Sequence, residues 1–255
     1  MEKKLKEKSP RELRDILLRI NEKTGKKMEV PKGKKELINK ISTVFQEYSD
    51  HQEKKEKRFL KMNQLGEKGR ECKAFLVCDQ SNPKKEGMFA MKTYRKNKPT
   101  NLIRQEHEFH LLAEKAGISP KLVDVDLIGK SMTMIKLDND LLDIIHNQRG
   151  VLKRAQQLRI IEIFKTLDQI GVFHMDANPR NFMEKDGVIY IIDYGYSKAI
   201  TPRLKSKYGS ENLNLDYMTI SFVFQLRESY PDINLKYIEK YIDPEAAKKI
   251  RLKPM

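Results

Sequence analysis

The run GVFHMDANPRNFM carries His174-Met175-Asp176 with Asp176 five residues ahead of Asn181, and a short apolar, strand-like VIYIID then ends on Asp193-Tyr194-Gly195. A fold that uses both motifs must bring the two loops face to face, because their acidic and amide side chains serve one reaction only around a shared metal. Asp176 is suited to take up the proton of an attacking hydroxyl, and Asn181 on the same loop to hold a magnesium ion. Asp193 is suited to hold the metal that bridges the phosphates of ATP. The plainer alternative is that Asp176 and Asn181 cap helices and turns, as these residue types often do.

Upstream, MFAMKTYRK alternates as a strand and carries Lys92 after an apolar stretch, where a phosphate-pairing lysine would stand. The next segment, NLIRQEHEFHLLAEKAG, has Ile103, Leu111, Leu112 and Ala116 at helical spacing and ends at a glycine stop. A glutamate on the buried side of that helix would pair with Lys92 and turn it toward a nucleotide. Glu108 is the first choice and Glu106 the second.

From about Leu65 to Leu226 the chain resembles a protein kinase. The order of parts agrees: a glycine-containing turn in LGEKGRECKAFLV, the Lys92 strand, the Glu108 helix, the apolar SMTMIKLD where a hinge would lie, then the two catalytic loops. It is most similar to small serine/threonine kinase-like proteins of large DNA viruses, and in its brevity to atypical kinases of the RIO and KEOPS-associated type. Glu108-Phe-His-Leu-Leu-Ala-Glu-Lys-Ala-Gly followed by Ile-Ser-Pro resembles the corresponding helix and turn of that atypical group, which favours Glu108. The resemblance implies an α+β, two-lobed protein kinase-like fold with a reduced C-lobe, the N-lobe over residues 59–137 and the C-lobe over 138–255. It implies ATP and Mg2+ as cofactors, and a protein substrate with a hydroxyl acceptor. Asp176, Lys92 and Glu108 would be catalytic; Gly66, Gly69 and Lys92 would contact the nucleotide; Asn181 and Asp193 would hold metal.

The chain departs from the kinase pattern at several places. The phosphate-covering loop of ordinary kinases is G-x-G-x-x-G, whose bare backbone approaches the phosphates closely, whereas only Gly66 and Gly69 are present here. If Gly66 comes first, Lys68 and Glu71 occupy the other glycine places; if Gly69 does, the loop is shorter. Met175 stands where most protein kinases have an arginine that pairs with a phosphorylated activation loop, so that switch is not expected. Asn178 replaces the lysine of serine/threonine kinases, and Arg180 either steadies the transferred phosphoryl group or is a surface residue. No Ala-Pro-Glu closes the short segment from Asp193 to Asp216. Asp216, opening DYMTISFVFQL, resembles the aspartate that braces the catalytic loop backbone, or else is an ordinary first-turn acid.

Composition bounds the rest. At 39% hydrophobic and 34% charged residues, the 255-residue chain suits a soluble globular protein with basic extensions. No apolar stretch approaches a membrane span, and MEKKLKEKS lacks the apolar centre of a secretion signal. An intracellular protein is expected, in the cytoplasm or nucleus of a host cell or in a virion. Cys72 and Cys78 have no CxxC spacing and would share one face of a strand. His107-x-x-His110 has no third nearby ligand for a metal. The absence of G-x4-G-K-[ST] argues against a P-loop ATPase.

Formal net charge is +15, and residues 1–46 hold 14 Lys/Arg against 7 Asp/Glu, nearly half of the excess. There, Ser9-Pro10-Arg11-Glu12 starts a helix with Leu13, Ile16, Leu17 and Ile20 on one stripe. After the turn TGKKMEVPKGKK a second helix carries Leu37, Ile38, Ile41 and Phe45. ELRDIL and VPKGKKELINKI resemble a SAP motif, a small DNA-binding unit, with a longer connecting loop. Residues 1–48 are thus expected to form a helical module that meets DNA, chromatin or another polyanion through Lys26, Lys27, Lys32, Lys34 and Lys35. The alternative is a solvated hairpin that packs on, or tethers, the rest. Residues 49–58 follow as a polar linker or linking helix. The rival functions are a pseudokinase scaffold, a small-molecule kinase or RNA-associated ATPase, and a DNA-binding protein without catalysis.

Overall fold

The computed structural model describes residues 2–24, 28–65, 72–80 and 89–251. Two compact units emerge, Met1–Arg104 with Val123–Met134, and Gln105–Leu122 with Ile135–Met255. The chain is a mixed α/β protein whose strands pair antiparallel.

The first unit begins with α1 (Glu2–Lys6), α2 (Pro10–Thr24) and α3 (Lys34–Arg58). Ser9 caps α2 reciprocally: Glu12 N–H donates to Ser9 Oγ at 3.3 Å while Ser9 N–H donates to Glu12 Oε2 at 2.8 Å. This satisfies two of the donors that a helix start leaves without intrahelical partners. The expected stripe packs: Leu13, Leu17, Leu37 and Ile41 are fully buried together, with Ile16 and Ile20 partly so. Phe45 departs from expectation. It is 38% exposed, and Val44 turns inward instead, because 37, 41 and 44 follow one stripe of the helix and 45 lies to its side. Asn21 shapes the return of the chain, its Nδ2 donating to Met28 O at 2.9 Å and its Oδ1 accepting from Met28 N–H at 3.3 Å. Of the two readings of residues 49–58, the helical one is observed, since α3 runs unbroken to Arg58 and into the first strand.

Five strands follow: β1 (Phe59–Leu65), β2 (Cys72–Asp79), β3 (Phe89–Tyr94), β4 (Leu122–Asp126) and β5 (Ser131–Ile135), in the order β1-β2-β3-β5-β4. They fall on the strand-like runs of the sequence near residues 59–65, 73–79, 88–94, 121–128 and 131–137. Alternation sends Phe59, Val77, Phe89 and Met91 into one small core, where Phe59 and Phe89 meet edge to face at 6.2 Å. Lys92 lies on the opposite face of β3, paired with Ala74. A helix, α4 (Thr100–Lys115), comes between β3 and β4 in the chain.

The second unit is built around α6 (Arg154–Gln169). Its 3.6-residue period buries Ile160, Ile161, Ile163, Phe164 and Leu167. Phe164 joins Phe182 and Phe222 in a triangle of edge-to-face rings 5.1–6.1 Å apart. Around it lie α5 (Leu141–Asn147), the hairpin β8 (Phe182–Lys185) and β9 (Val188–Ile191), and α8 (Thr219–Ser229). Two-residue β6 (Asn139–Asp140) adds to β8, and β7 (Val172–Phe173) pairs with β10 (Lys198–Ala199). The helices α7 (Pro202–Tyr208), α9 (Lys236–Glu239) and α10 (Pro244–Arg251) complete the unit. Gln157, buried in α6, is fully used: Nε2 donates to Leu152 O and Asn234 O at 2.8 Å each, and Oε1 accepts from Tyr237 N–H at 3.1 Å. Among the described residues no helix is long and apolar enough to cross a membrane.

Candidate functional site

The two loops singled out by sequence are laced together in the second unit. Pairing of Lys198 with Phe173 and of Ala199 with Val172 holds the base of one against the exit of the other. Beyond that pair sits His174, fully buried, whose Nε2 lies 3.1 Å from Ile192 O and whose backbone carbonyl accepts from Ser197 Oγ at 3.2 Å. Because Nε2 faces a carbonyl oxygen it is the protonated nitrogen, and among the described residues Nδ1 is buried without a hydrogen-bond partner. Burial pushes the His174 pKa down; the fields of Asp176 and Asp193, both reaching the ring, act against that shift. One imidazole thus senses both carboxylates.

Asn181 closes the arrangement. Its carbonyl accepts from Ile192 N–H at 2.9 Å, and the next residue, Phe182, pairs with Ile191 across the β8–β9 hairpin. The backbone of Asn181 therefore lies one step from Asp193. Local hydrogen bonds shape each loop: Asp176 Oδ1 accepts from Asn178 N–H at 3.1 Å, Asn178 Oδ1 from Arg180 N–H at 2.9 Å, and Asp193 Oδ1 from Gly195 N–H at 3.3 Å. Met175 (φ 65°) and Asp193 (φ 67°) are both left-handed. Aspartate tolerates that region, but an unbranched hydrophobe there is strained and persists only where its surroundings over-determine it.

A buried polar chain supplies that over-determination. Asn214, with no exposed surface, accepts from His174 N–H through Oδ1 at 3.0 Å and donates through Nδ2 to Val172 O and to Asp168 Oδ1 at 2.8 Å each. Asp168 in turn accepts from Asn214 N–H at 2.9 Å and from Leu215 N–H at 3.0 Å. Burial pushes the Asp168 pKa up, and these N–H groups oppose the shift. The brace of the His174 loop is therefore Asn214. Asp216, expected in that place, accepts instead from Ser210 Oγ at 2.5 Å. Residues 214–218 wind as one wide π turn before α8, with Asn214 buried at its start and Asp216 in its first turn. The residue type at 214 follows from its neighbours: an aspartate there could not donate to Asp168 or Val172.

A second buried cluster holds the far side of the Asp193 loop. Ser119 Oγ donates to Ile191 O at 2.6 Å, leaving Tyr194 OH to donate to Ser119 Oγ at 2.6 Å. Tyr194 stacks edge to face on His174 at 4.9 Å and on His110 at 5.6 Å. His110 Nε2 lies 2.8 Å from Pro120 O, so this histidine is a core residue. The Ile-Ser-Pro turn gave a hint of this; the Asp168–Asn214 brace had no signal beyond two polar residues at helix ends.

Of the remaining expected site residues, Lys92 is half-buried with its Nζ over the Tyr94 ring at 5.4 Å. On α4 the buried positions are Ile103, Glu106, Phe109, His110 and Ala113. Glu108 is exposed, so the requirement of a buried-side glutamate selects Glu106, at 1% exposure. The physical reason is the phase of the helix: 106, 109, 110 and 113 fall on one stripe and 108 does not. Gly66, Gly69, Lys26 and Lys27 lie outside the described residues. Arg180 is exposed and pairs with Asp140 Oδ2 at 2.6 Å, while Asp140 Oδ1 caps α5 by accepting from Asp143 N–H at 3.0 Å. Cys72 and Cys78 are free thiols.

Among the described residues no three His, Cys, Asp or Glu side chains converge as an all-protein metal cage. Magnesium does not need one, since it is commonly held by one or two protein oxygens together with phosphates and water. Asp193 and the Asn181 carboxamide are hard oxygen donors of that kind. Among the described residues the carboxamide Nδ2 is buried without a hydrogen-bond partner. No known protein-family model matches the sequence, and no curated protein matches it either.

Proposed function

We propose that this chain is a magnesium- and ATP-dependent phosphotransferase, of serine/threonine protein kinase type and fold, with residues 1–48 as a module for DNA or another polyanion. One observation carries the reading: His174 is tied to Ile192 and lies within the fields of both Asp176 and Asp193, while Asn181 is hydrogen-bonded to the same Ile192. This supports a reading in which a base and two metal-holding oxygens serve one constellation, as in-line phosphoryl transfer requires. When bound, magnesium neutralises charge that develops on the phosphate oxygens. Asp176 accepts the acceptor hydroxyl's proton as its oxygen bonds to the γ-phosphorus; the bond to the β-bridging oxygen breaks, and ADP leaves. Asn181 and Asp193 hold the metal. Lys92 aligns the phosphates.

Mass spectrometry of the purified chain after incubation with magnesium and ATP, alone and with protein acceptors, tests this. Asp176→Asn and Lys92→Met should each lower phosphate incorporation by about 10²–10⁴-fold with an unchanged thermal midpoint. Equal incorporation by wild type and Asp176→Asn refutes the assignment, and a wild type that consumes no ATP leaves the scaffold reading in its place.

A further inference from the structure

The first unit has a second basic surface, remote in sequence from residues 1–48. Where the ends of β2 and β3 meet the β4–β5 turn, a cavity of about 660 Å³ is bordered by Lys61, Lys73, Arg95, Lys96 and Lys130. Lys130 is also a wall of a second cavity, of about 540 Å³, bordered by Lys98 and Arg104. Among the described residues neither is lined by a carboxylate. Asp126, four residues before Lys130, is 5% exposed, and its Oδ1 accepts from Ile128 and Gly129 N–H at 3.0 and 2.7 Å. It is committed to shaping the turn.

The floor is apolar and partly aromatic. Phe75 is half-buried with Lys61 Nζ over its ring at 5.1 Å, and Ile128 is 40% exposed. Lys130 is fixed in position: left-handed at φ 53°, it donates to Lys98 O at 2.7 Å and to Lys96 O. From Lys61 on β1 to Lys130 beside β5 the cations cross three strand spacings, about 14 Å. That is room for about four stacked nucleotides at 3.4 Å each.

We infer that this face of the five-stranded sheet binds single-stranded nucleic acid, the cations meeting phosphates and Phe75 offering a ring against which a base stacks. An acidic polypeptide would use the cations but gain little from the aromatic floor, and a rigid duplex cannot lay a base on it. Base–aromatic stacking with a cationic groove is the general physics of single-strand recognition. The inference is independent of the phosphotransferase reading.

Fluorescence anisotropy of a labelled twelve-residue oligothymidylate titrated with the full chain tests it across a salt series. Combined Lys61→Glu, Lys73→Glu and Lys96→Glu should weaken binding at least tenfold and reduce the slope of log affinity against log salt by about 2. The same three lysines changed to arginine should bind as wild type, and Phe75→Ala should lose roughly tenfold. Lys73→Glu and Lys96→Glu alone, each with a smaller loss in the same direction, decide the matter should the triple variant not fold. Unchanged affinity in these variants overturns the proposal. So does loss confined to Lys32→Glu, Lys34→Glu and Lys35→Glu in the N-terminal module, or equal displacement of the oligonucleotide by polyglutamate, which would make the ligand an acidic polypeptide.

Discussion

The two units solve different problems with different interiors. In the first, the helical hairpin and the sheet keep separate small cores, and polar contacts of the hairpin such as Ser9 with Glu12 and Arg14 with Lys32 O are exposed, with Asn21 and Met28 part-buried. In the second, one continuous core surrounds a chain of buried polar groups from Asp168 through Asn214 to His174 and Ile192. A surface that attracts polyanions needs charge density, which tolerates loose positioning. Loops that hold a base and a metal in register need their backbones fixed, and buried, fully paired hydrogen bonds do this at high cost if any one is lost.

The largest expected effect falls on that chain. Asn214→Asp removes two donated bonds and sets two carboxylates against one another, so it should destabilise the second unit by about 3–5 kcal/mol in urea unfolding and abolish activity with it. A mild loss would show that the brace is redundant. Leu17→Ala in the hairpin should cost about 2–5 kcal/mol locally. Hydrogen exchange should then quicken over residues 10–47 and stay slow around Phe164, Phe182 and Phe222. Loss of protection everywhere would mean that the two interiors are one cooperative system.

Smaller effects sharpen the contrast. Because His174 is held neutral, the unfolded chain takes up the extra proton first as pH falls below about 6.5. This contribution to stability is full above that pH and declines as pH drops toward the depressed folded value, by at most about 1.4 kcal/mol per pH unit. His107, also lowered by partial burial, adds in the same direction. His174→Gln should flatten the difference in unfolding free energy between pH 7 and pH 5.5, and an unchanged difference would assign it elsewhere. Arg180→Ala should cost no more than about 1 kcal/mol, since the Arg180 side chain of its pair with Asp140 is 61% exposed. A large loss of transfer in that variant without loss of stability would give Arg180 a part in holding phosphate.

Much of this was legible beforehand. Strand β3 follows from the alternation of MFAMKTYRK, α2 from an apolar stripe behind the Ser9 cap, and α4 from an apolar segment that ends at a glycine. Asp176, Asn181 and Asp193 stand at short spacing in the sequence, and backbone pairing holds the loops that carry them together. Glu106 was the second choice over Glu108, since an approximate helix phase and a resemblance pulled toward the wrong face. Phe45 was misplaced because the buried stripe of α3 runs through Val44, and spacing alone does not choose between two adjacent apolar residues. Asn214 was missed because its partners Asp168, Val172 and His174 lie far from it along the chain, which no local pattern announces.

By itself the sequence determined what nearest neighbours along the chain can settle: helix and strand periodicity, the Ser9 cap, the two loop motifs and the excess of positive charge. Only the tertiary structure decided which polar groups meet in the interior, that Asn214 rather than Asp216 holds His174, and that lysines from four separate segments border one cavity. Those are pairings between residues tens of positions apart, fixed by burial and by the need to satisfy every hydrogen bond away from water, a condition that exists only once the chain has folded.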